Sequence, residues 1–149
     1  MGGRVSAESV LIERSIEDVY AFLADGSNEP RWRGDPERFT ELESGAPGAI
    51  GAVHLVRINR LGRTRRVVLA DADPPTRVEL EAQFKRKPPV RTTFELAREG
   101  GGTRLAMETR IEGAVASRLI PAKGDTATRM DRGYLERIKQ MLEAPPAQP

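Results

Sequence analysis

The chain has no cysteine and one histidine, His54, among 149 residues. Disulfides are excluded. Almost nothing is left for a zinc or copper site, which draws on thiolates and imidazoles. No metal and no cofactor is expected, and the missing cysteine agrees with a cytoplasmic location. Aromatic residues are scarce too: one Trp, two Tyr and four Phe. No apolar run approaches the roughly 18 residues of a membrane span, so stable membrane insertion is not expected. The opening MGGRVSAESV lacks the apolar core of a signal peptide. Gly2 and Ser6 fit the loose N-myristoylation pattern, but an Arg- and Ala-rich composition of bacterial type argues against that use. An excess of charge of one sign is missing as well: Lys+Arg 24 against Asp+Glu 22 gives +2. Repeats and domain-scale linkers are absent. One domain is expected over 1–149, with a core at 5–143 and a frayed tail, APPAQP, at 144–149. A chain of this size buries about 68–70% of its unfolded surface and needs no covalent staple.

What is present is alternation. RVELEAQF (77–84) sets Val78, Leu80, Ala82 and Phe84 on one side and Arg77, Glu79, Glu81 and Gln83 on the other. VRTTFELA (90–97) repeats this with Val90, Thr92, Phe94 and Leu96, and TRLAMETRI (103–111) with Leu105, Met107, Thr109 and Ile111. Period two means antiparallel strands with one covered face and one wet face. Further strands are expected at 5–14, 39–43, 52–59 and 66–72, with a turn at Arg60-Leu61-Gly62-Arg63. The outward charges, Arg77, Glu79, Arg91, Glu95, Arg104, Glu108 and Arg110, read as solvated cross-strand pairs.

After the first strand, Ser15 can cap a short helix, with Asp18 in a capping-box position and Val19, Phe22 and Leu23 on one face. Asp25-Gly26 ends it. EPRWRGDPERF (29–39) follows without periodicity, as a loop or one helical turn, and holds the only tryptophan, Trp32, amid charges. Arg33-Gly34-Asp35 spells an adhesion tripeptide, read here as coincidence. At the other end, TATRMDRGYLERIKQMLE (126–143) changes period. Met130, Tyr134, Ile138 and Met141 follow helical spacing, Leu135 and Leu142 widen the stripe, and Arg132, Glu136, Lys139 and Gln140 stand opposite. The helix is about 27 Å long, and the covered sheet face is the apolar surface that suits its stripe. Residues 113–124 extend toward it, with Pro121 as a kink or break.

SVLIERSIEDVYAFLADGSNEPRW, a glycine-led strand ending in RLGR, VVLADADPPTRVELEA, GGGTRLAMETRIEG and YLERIKQMLE occur in this order. In that order and spacing the sequence resembles the polyketide cyclase/dehydrase branch of the START-like (Bet v 1-like, SRPBCC) superfamily over residues 5–143. The resemblance implies an α+β helix-grip fold. A curved antiparallel sheet of six to seven strands would wrap round the long C-terminal helix, with two short helices after strand 1. It implies a cavity between sheet and helix that binds a lipid, polyketide, quinone or other hydrophobic small molecule. A minority of such proteins are cyclases, aromatases or dehydratases, and the shared residues report fold rather than activity.

The residues themselves support a cavity. Ala82, Thr92, Met107 and Thr109 on inward faces would underfill a core of this width, and Met130 and Met141 make an adaptable wall. The expected ligand-binding set is Trp32, His54, Val56, Leu80, Phe84, Phe94, Met107, Met130, Tyr134 and Ile138. His54 shares a strand face with Val56 and Ile58, inward if Arg57 and Asn59 meet water. Three roles stay open for it: a satisfied half-buried histidine, a ligand hydrogen-bonding group, or a general acid/base. Tyr134 is the other catalytic candidate, through its hydroxyl; Tyr20 is ambiguous. Trp32 is either a lid over one end of the cavity or a staple pinning its loop. Arg57, Arg60, Arg63, Arg65 and Arg66 around one hairpin, and Lys85-Arg86-Lys87 at another, read as solvated surface. Without interleaved aromatics they give no stacking platform, and nucleic acid is not an expected partner. Three functions are therefore carried forward: a binder of hydrophobic molecules, an enzyme of the cyclase, aromatase or dehydratase type, and an interaction module without ligand.

Overall fold

In the computed structural model, which describes residues 3–35, 38–58, 63–111 and 125–145, the alternating segments become strands. The elements are β1 (Gly3–Ile12), α1 (Ile16–Ala24), a 3-10 turn (Gly26–Asn28), α2 (Glu29–Arg33), β2 (Arg38–Ser44), β3 (Val53–Ile58), β4 (Arg63–Asp73), β5 (Arg77–Gln83), β6 (Val90–Glu99), β7 (Gly102–Ile111) and α3 (Asp125–Glu143). All strands pair antiparallel in the order β1-β7-β6-β5-β4-β3-β2. The curved sheet grips α3 in an α+β helix-grip fold. Readings that touch Gly2, Asn59, Arg60, residues 113–124 or 146–149 lie outside the described residues, as do the side chains of Ser6, Ile58 and Arg63.

Inward parity holds along the central strands. Val78, Leu80 and Ala82 on β5, Thr92, Phe94 and Leu96 on β6, and Leu105, Met107 and Thr109 on β7 are buried. Their outward neighbours form the expected pairs: Arg77 and Arg91 each reach Glu79 at 3.0 Å, and Arg110 reaches Glu108 at 2.6 Å. Glu81 accepts from Gln83 and Arg91, which hold its carboxyl below the usual range against the effect of burial. β4 is longer than expected. Register pairs Ile58 with Arg63, so the expected turn residue Arg63 already belongs to the strand.

Ser15 caps α1 by accepting from the Asp18 amide at 3.1 Å. The Asp18 carboxylate turns instead to Arg14 at 2.8 Å, so half of the capping box forms. Ile16, Val19 and Leu23 bury the helix face, with Phe22 at its margin.

α3 sits differently from its expected stripe. Asp131, Leu135, Ile138 and Leu142, at spacings of four, three and four, are buried. Tyr134 and Met141 flank this ridge, and Met130 is 53% exposed. Met130 therefore belongs to the outer side, and the reason is visible at β1. Lys139, expected to face solvent, donates from Nζ to the Leu11 carbonyl at 2.8 Å and to Glu143 at 2.7 Å. Arg132 reaches Glu8 at 3.2 Å, Glu143 accepts from the Glu13 amide at 2.8 Å, and Arg14 donates to the Leu142 carbonyl. These ties on one flank fix the rotation of the helix.

Ile138→Ala should cost about 2–5 kcal/mol in urea unfolding, whereas Gln140→Ala on the exposed side should stay within about 0.5 kcal/mol. Equal losses would remove the grip. Glu143 supplies a pH test. The hydrogen bonds from Lys139 and the Glu13 amide hold its carboxyl below its ordinary range. A depressed folded pKa contributes stability above the unfolded pKa, and that contribution disappears as pH falls through the folded one. The melting temperature of Glu143→Gln should lie below wild type at neutral pH and converge with it well below pH about 4.3.

Candidate ligand-binding site

The inner wall is built from strand parity and from one tight turn. On β4, Arg65 shares the inward side with buried Val67 and Leu69. Its side chain is 10% exposed and not part of a solvated patch, a correction to the reading of the basic hairpin. Its partner is Glu29 at the start of α2, 1% exposed, whose Oε1 lies 2.6 Å from Arg65 Nη2. Glu29 Oε2 also accepts from Arg33 Nε at 2.9 Å. Asp35 completes the quartet by accepting from Arg65.

Local sequence explains this closure. Pro30 enters the first turn of α2 without losing a useful N–H. Gly34 ends the helix at φ +84, a left-handed conformation that suits glycine. The amides of Gly34 and Asp35 both return to the Pro30 carbonyl at 3.1 Å, which folds Asp35 back toward Arg65. Arg137 of α3 donates to the Trp32 carbonyl at 3.0 Å, and a Cβ on Gly34 would lie 2.7 Å from the Arg137 guanidinium carbon. Burial acts to lower the Arg65 pKa, but the charges and hydrogen bonds of Glu29 and Asp35 outweigh it and push it up.

Beside this quartet lies an aromatic wall. Trp32 is fully buried and meets Phe94 edge-on at 5.5 Å and Tyr134 at 5.7 Å. The Arg33 guanidinium stacks 4.6 Å from the Trp32 ring and 4.9 Å from the Tyr134 ring, and its Nη2 donates to Thr92 Oγ1 at 3.2 Å. The Trp32 indole Nε1 is buried without a hydrogen-bond partner. Among the described residues no backbone carbonyl accepts from it. The ring packs inside the buried cluster.

Of the expected set, Trp32, Val56, Leu80, Phe94, Met107 and Ile138 join one buried cluster, with Tyr134 packed against it. Phe84 lies past the end of β5 and is half-buried, and Met130 stands apart on the outer side of α3. His54 faces inward but beneath the 3-10 turn. A Cβ on Gly26 would lie 2.7 Å from its Nδ1, and its Nε2 is 3.8 Å from Asp25. Among the described residues, no hydrogen bond or ring contact joins His54 to Tyr134. Glu29, Arg33, Arg65 and Asp131 were not foreseen in the wall. Asp131 is 3% exposed, and both its oxygens accept from Thr109 Oγ1, at 3.0 and 3.2 Å. Two signals could have found these residues: Arg65 lies two residues before Val67, and Asp131 lies four before Leu135 and seven before Ile138.

Removing the shared carboxylate leaves two largely buried guanidiniums, Arg65 with Asp35 alone and Arg33 with no carboxylate among these residues. Glu29→Ala should destabilise by about 3–5 kcal/mol. Glu43→Ala, which removes the exposed partner of Arg66, should cost no more than about 1 kcal/mol. Chemical denaturation of both variants checks the contrast.

No curated protein matches the sequence. Solved structures do match in fold. Protein CV1439 from Chromobacterium violaceum is 14% identical, with a TM-score of 0.69, covering 96% of this chain and 100% of its own. Ara h 8.0201 is 16% identical, with a TM-score of 0.68 and coverage of 97% and 100%. DynU16, from the dynemicin biosynthetic locus, is 17% identical, with a TM-score of 0.64; the match covers 93% of this chain and 46% of that one. Residues 4–144 match the family model described as polyketide cyclase/dehydrase and lipid transport. The chain belongs to that family.

Proposed function

We propose that the chain binds a hydrophobic small molecule, such as a lipid, polyketide or quinone, between the inner face of the sheet and α3. Family membership supports a hydrophobic ligand-binding or cyclase-type role. The observation that carries the binding reading is the Trp32 indole, a donor buried without an acceptor inside an aromatic wall. An unmet buried donor costs about 1–3 kcal/mol, and a ligand oxygen would satisfy it. Around it, the wall combines apolar faces with a few fixed polar groups, the usual makeup of a small-molecule site. Arg33 of α2 bonds Thr92 of β6, and Asp131 of α3 bonds Thr109 of β7. A ligand with an apolar, largely planar body and one or more oxygen substituents fits this wall.

The enzyme reading asks for His54 or Tyr134 beside the ligand. His54 is engaged under the 3-10 turn and Tyr134 against Trp32.

As the only tryptophan, Trp32 reports on the site. Titration with fatty acids, quinones and aromatic polyketides should change its emission for every ligand whose binding calorimetry confirms. Trp32→Phe keeps a ring in the wall but loses the N–H. It should weaken an oxygenated aromatic ligand by about fivefold, while Trp32→Ala should cost about 3–5 kcal/mol of stability. A calorimetrically bound ligand that leaves the emission unchanged would place the site elsewhere. Conversion of a polyketide by wild type, lost in His54→Gln, would establish the enzyme reading instead.

A further inference from the structure

Many cations of the outer surface are paired. Arg66 sits 2.7 Å from Glu43, Arg77 and Arg91 share Glu79, Arg98 reaches Glu17 at 2.8 Å and Arg104 reaches Glu99 at 2.7 Å. Lys85, Arg86 and Lys87, in the turn between β5 and β6, are exposed and make no ion pair among the described residues. From Phe84 to Phe94 the sequence FKRKPPVRTTF has four cations and no carboxylate. Arg91 alone of these points back to the sheet, to Glu79 and Glu81. Phe84, Pro88, Pro89 and Val90, on either side of the free cations, are half-buried.

We infer that the Lys85-Arg86-Lys87 turn docks the protein on an anionic lipid surface. Charge complementarity is the argument. Three neighbouring cations without counter-charges of their own lose no internal ion pair when they meet an anionic leaflet. The half-buried apolar residues beside them suit a lipid interface better than a phosphodiester backbone. Each cation near an anionic leaflet raises partitioning roughly fivefold, so the three together contribute about 100-fold. Such docking is reversible, is screened by salt and needs no membrane-spanning segment. No helix among the described residues is long and apolar enough to span one.

The test is co-sedimentation of the full chain with phosphatidylcholine vesicles and with vesicles in which about a third of the lipid is phosphatidylserine. Wild type should partition onto the anionic vesicles about 100-fold better than the variant carrying Lys85→Gln, Arg86→Gln and Lys87→Gln, and raised salt should abolish the difference. Arg66→Gln should bind as wild type does. Because the turn makes no ion pair, the triple variant should melt with wild type; if it does not, Arg86→Gln alone, at about fivefold, decides. Equal partitioning of wild type and variant, equal binding to both vesicle types, or retention on duplex DNA without vesicle binding would overturn the inference. The Trp32 emission response to small ligands, measured on the triple variant without vesicles, should be unchanged. Its absence in wild type would count against the proposed binding function and leave the vesicle result standing.

Discussion

The buried contact between Glu29 and the two guanidiniums of Arg33 and Arg65 is the constraint on which the inner architecture depends. Glu29 opens α2, Arg33 closes it, and Arg65 comes from the sheet, so one carboxylate fixes the short helix against β4. Asp35 adds a second anion to Arg65, and Thr92 takes a second bond from Arg33 on β6. Buried charges are costly to desolvate and hold only when partners and geometry are complete. Here completeness follows from the left-handed Gly34, which turns the chain back after α2. Trp32 is carried along by the same helix, which is why the largest apolar side chain in the protein sits in a charged stretch. The charges face one another and Arg65, and the ring faces Phe94 and Tyr134.

A second constraint acts on α3. Arg137 holds the Trp32 carbonyl, and Lys139, Glu143 and Arg132 hold β1. The helix is thus clamped between the first strand and the α2 turn, and its rotation brings Asp131 over Thr109. The outcome is an interior with apolar faces and polar groups at set places. Ordinary core packing would replace most of these by branched apolar residues, since buried ion pairs contribute little net stability. Their presence agrees with a wall shaped for a ligand. The cations that carry no such duty are concentrated at the β5–β6 turn, where solvent or a charged surface can meet them.

Much of the fold was legible from period alone. Clean alternation in 77–83, 90–97 and 103–111 places the correct side chains inward because a strand's side-chain period is two, whatever it packs against. Ser15, Asp25-Gly26 and the apolar spacing of α1 marked the first helix, since capping and turn chemistry are local. The α3 segment was legible as a helix, but its facing was off by about one position. An amphipathic stripe tolerates such a rotation, and only the ties to β1 select one. Of the candidate residues, most of the apolar ones gather in the buried cluster, and Glu29, Arg33, Arg65 and Asp131 lie near it without having been singled out. Trp32, Phe94 and Tyr134 announce themselves by size and parity. Arg65 was hidden among exposed arginines, and Asp131 among the charges of a helix that carries many.

By itself the sequence determined the periodicity of every central strand, the start of α1 and the exclusion of disulfides. Each of these depends on bonding and sterics within a few residues. The tertiary structure decided which charges are buried, which way α3 turns, and that Trp32 packs in the buried cluster and His54 against the underside of the 3-10 turn. Those outcomes depend on partners 36 residues away, as for Glu29 and Arg65, or 105 away, as for Trp32 and Arg137. A charge at the surface and a charge in the interior are the same letter in the sequence. Only the distant carboxylate that meets it makes burial affordable, and the fold decides whether that carboxylate arrives.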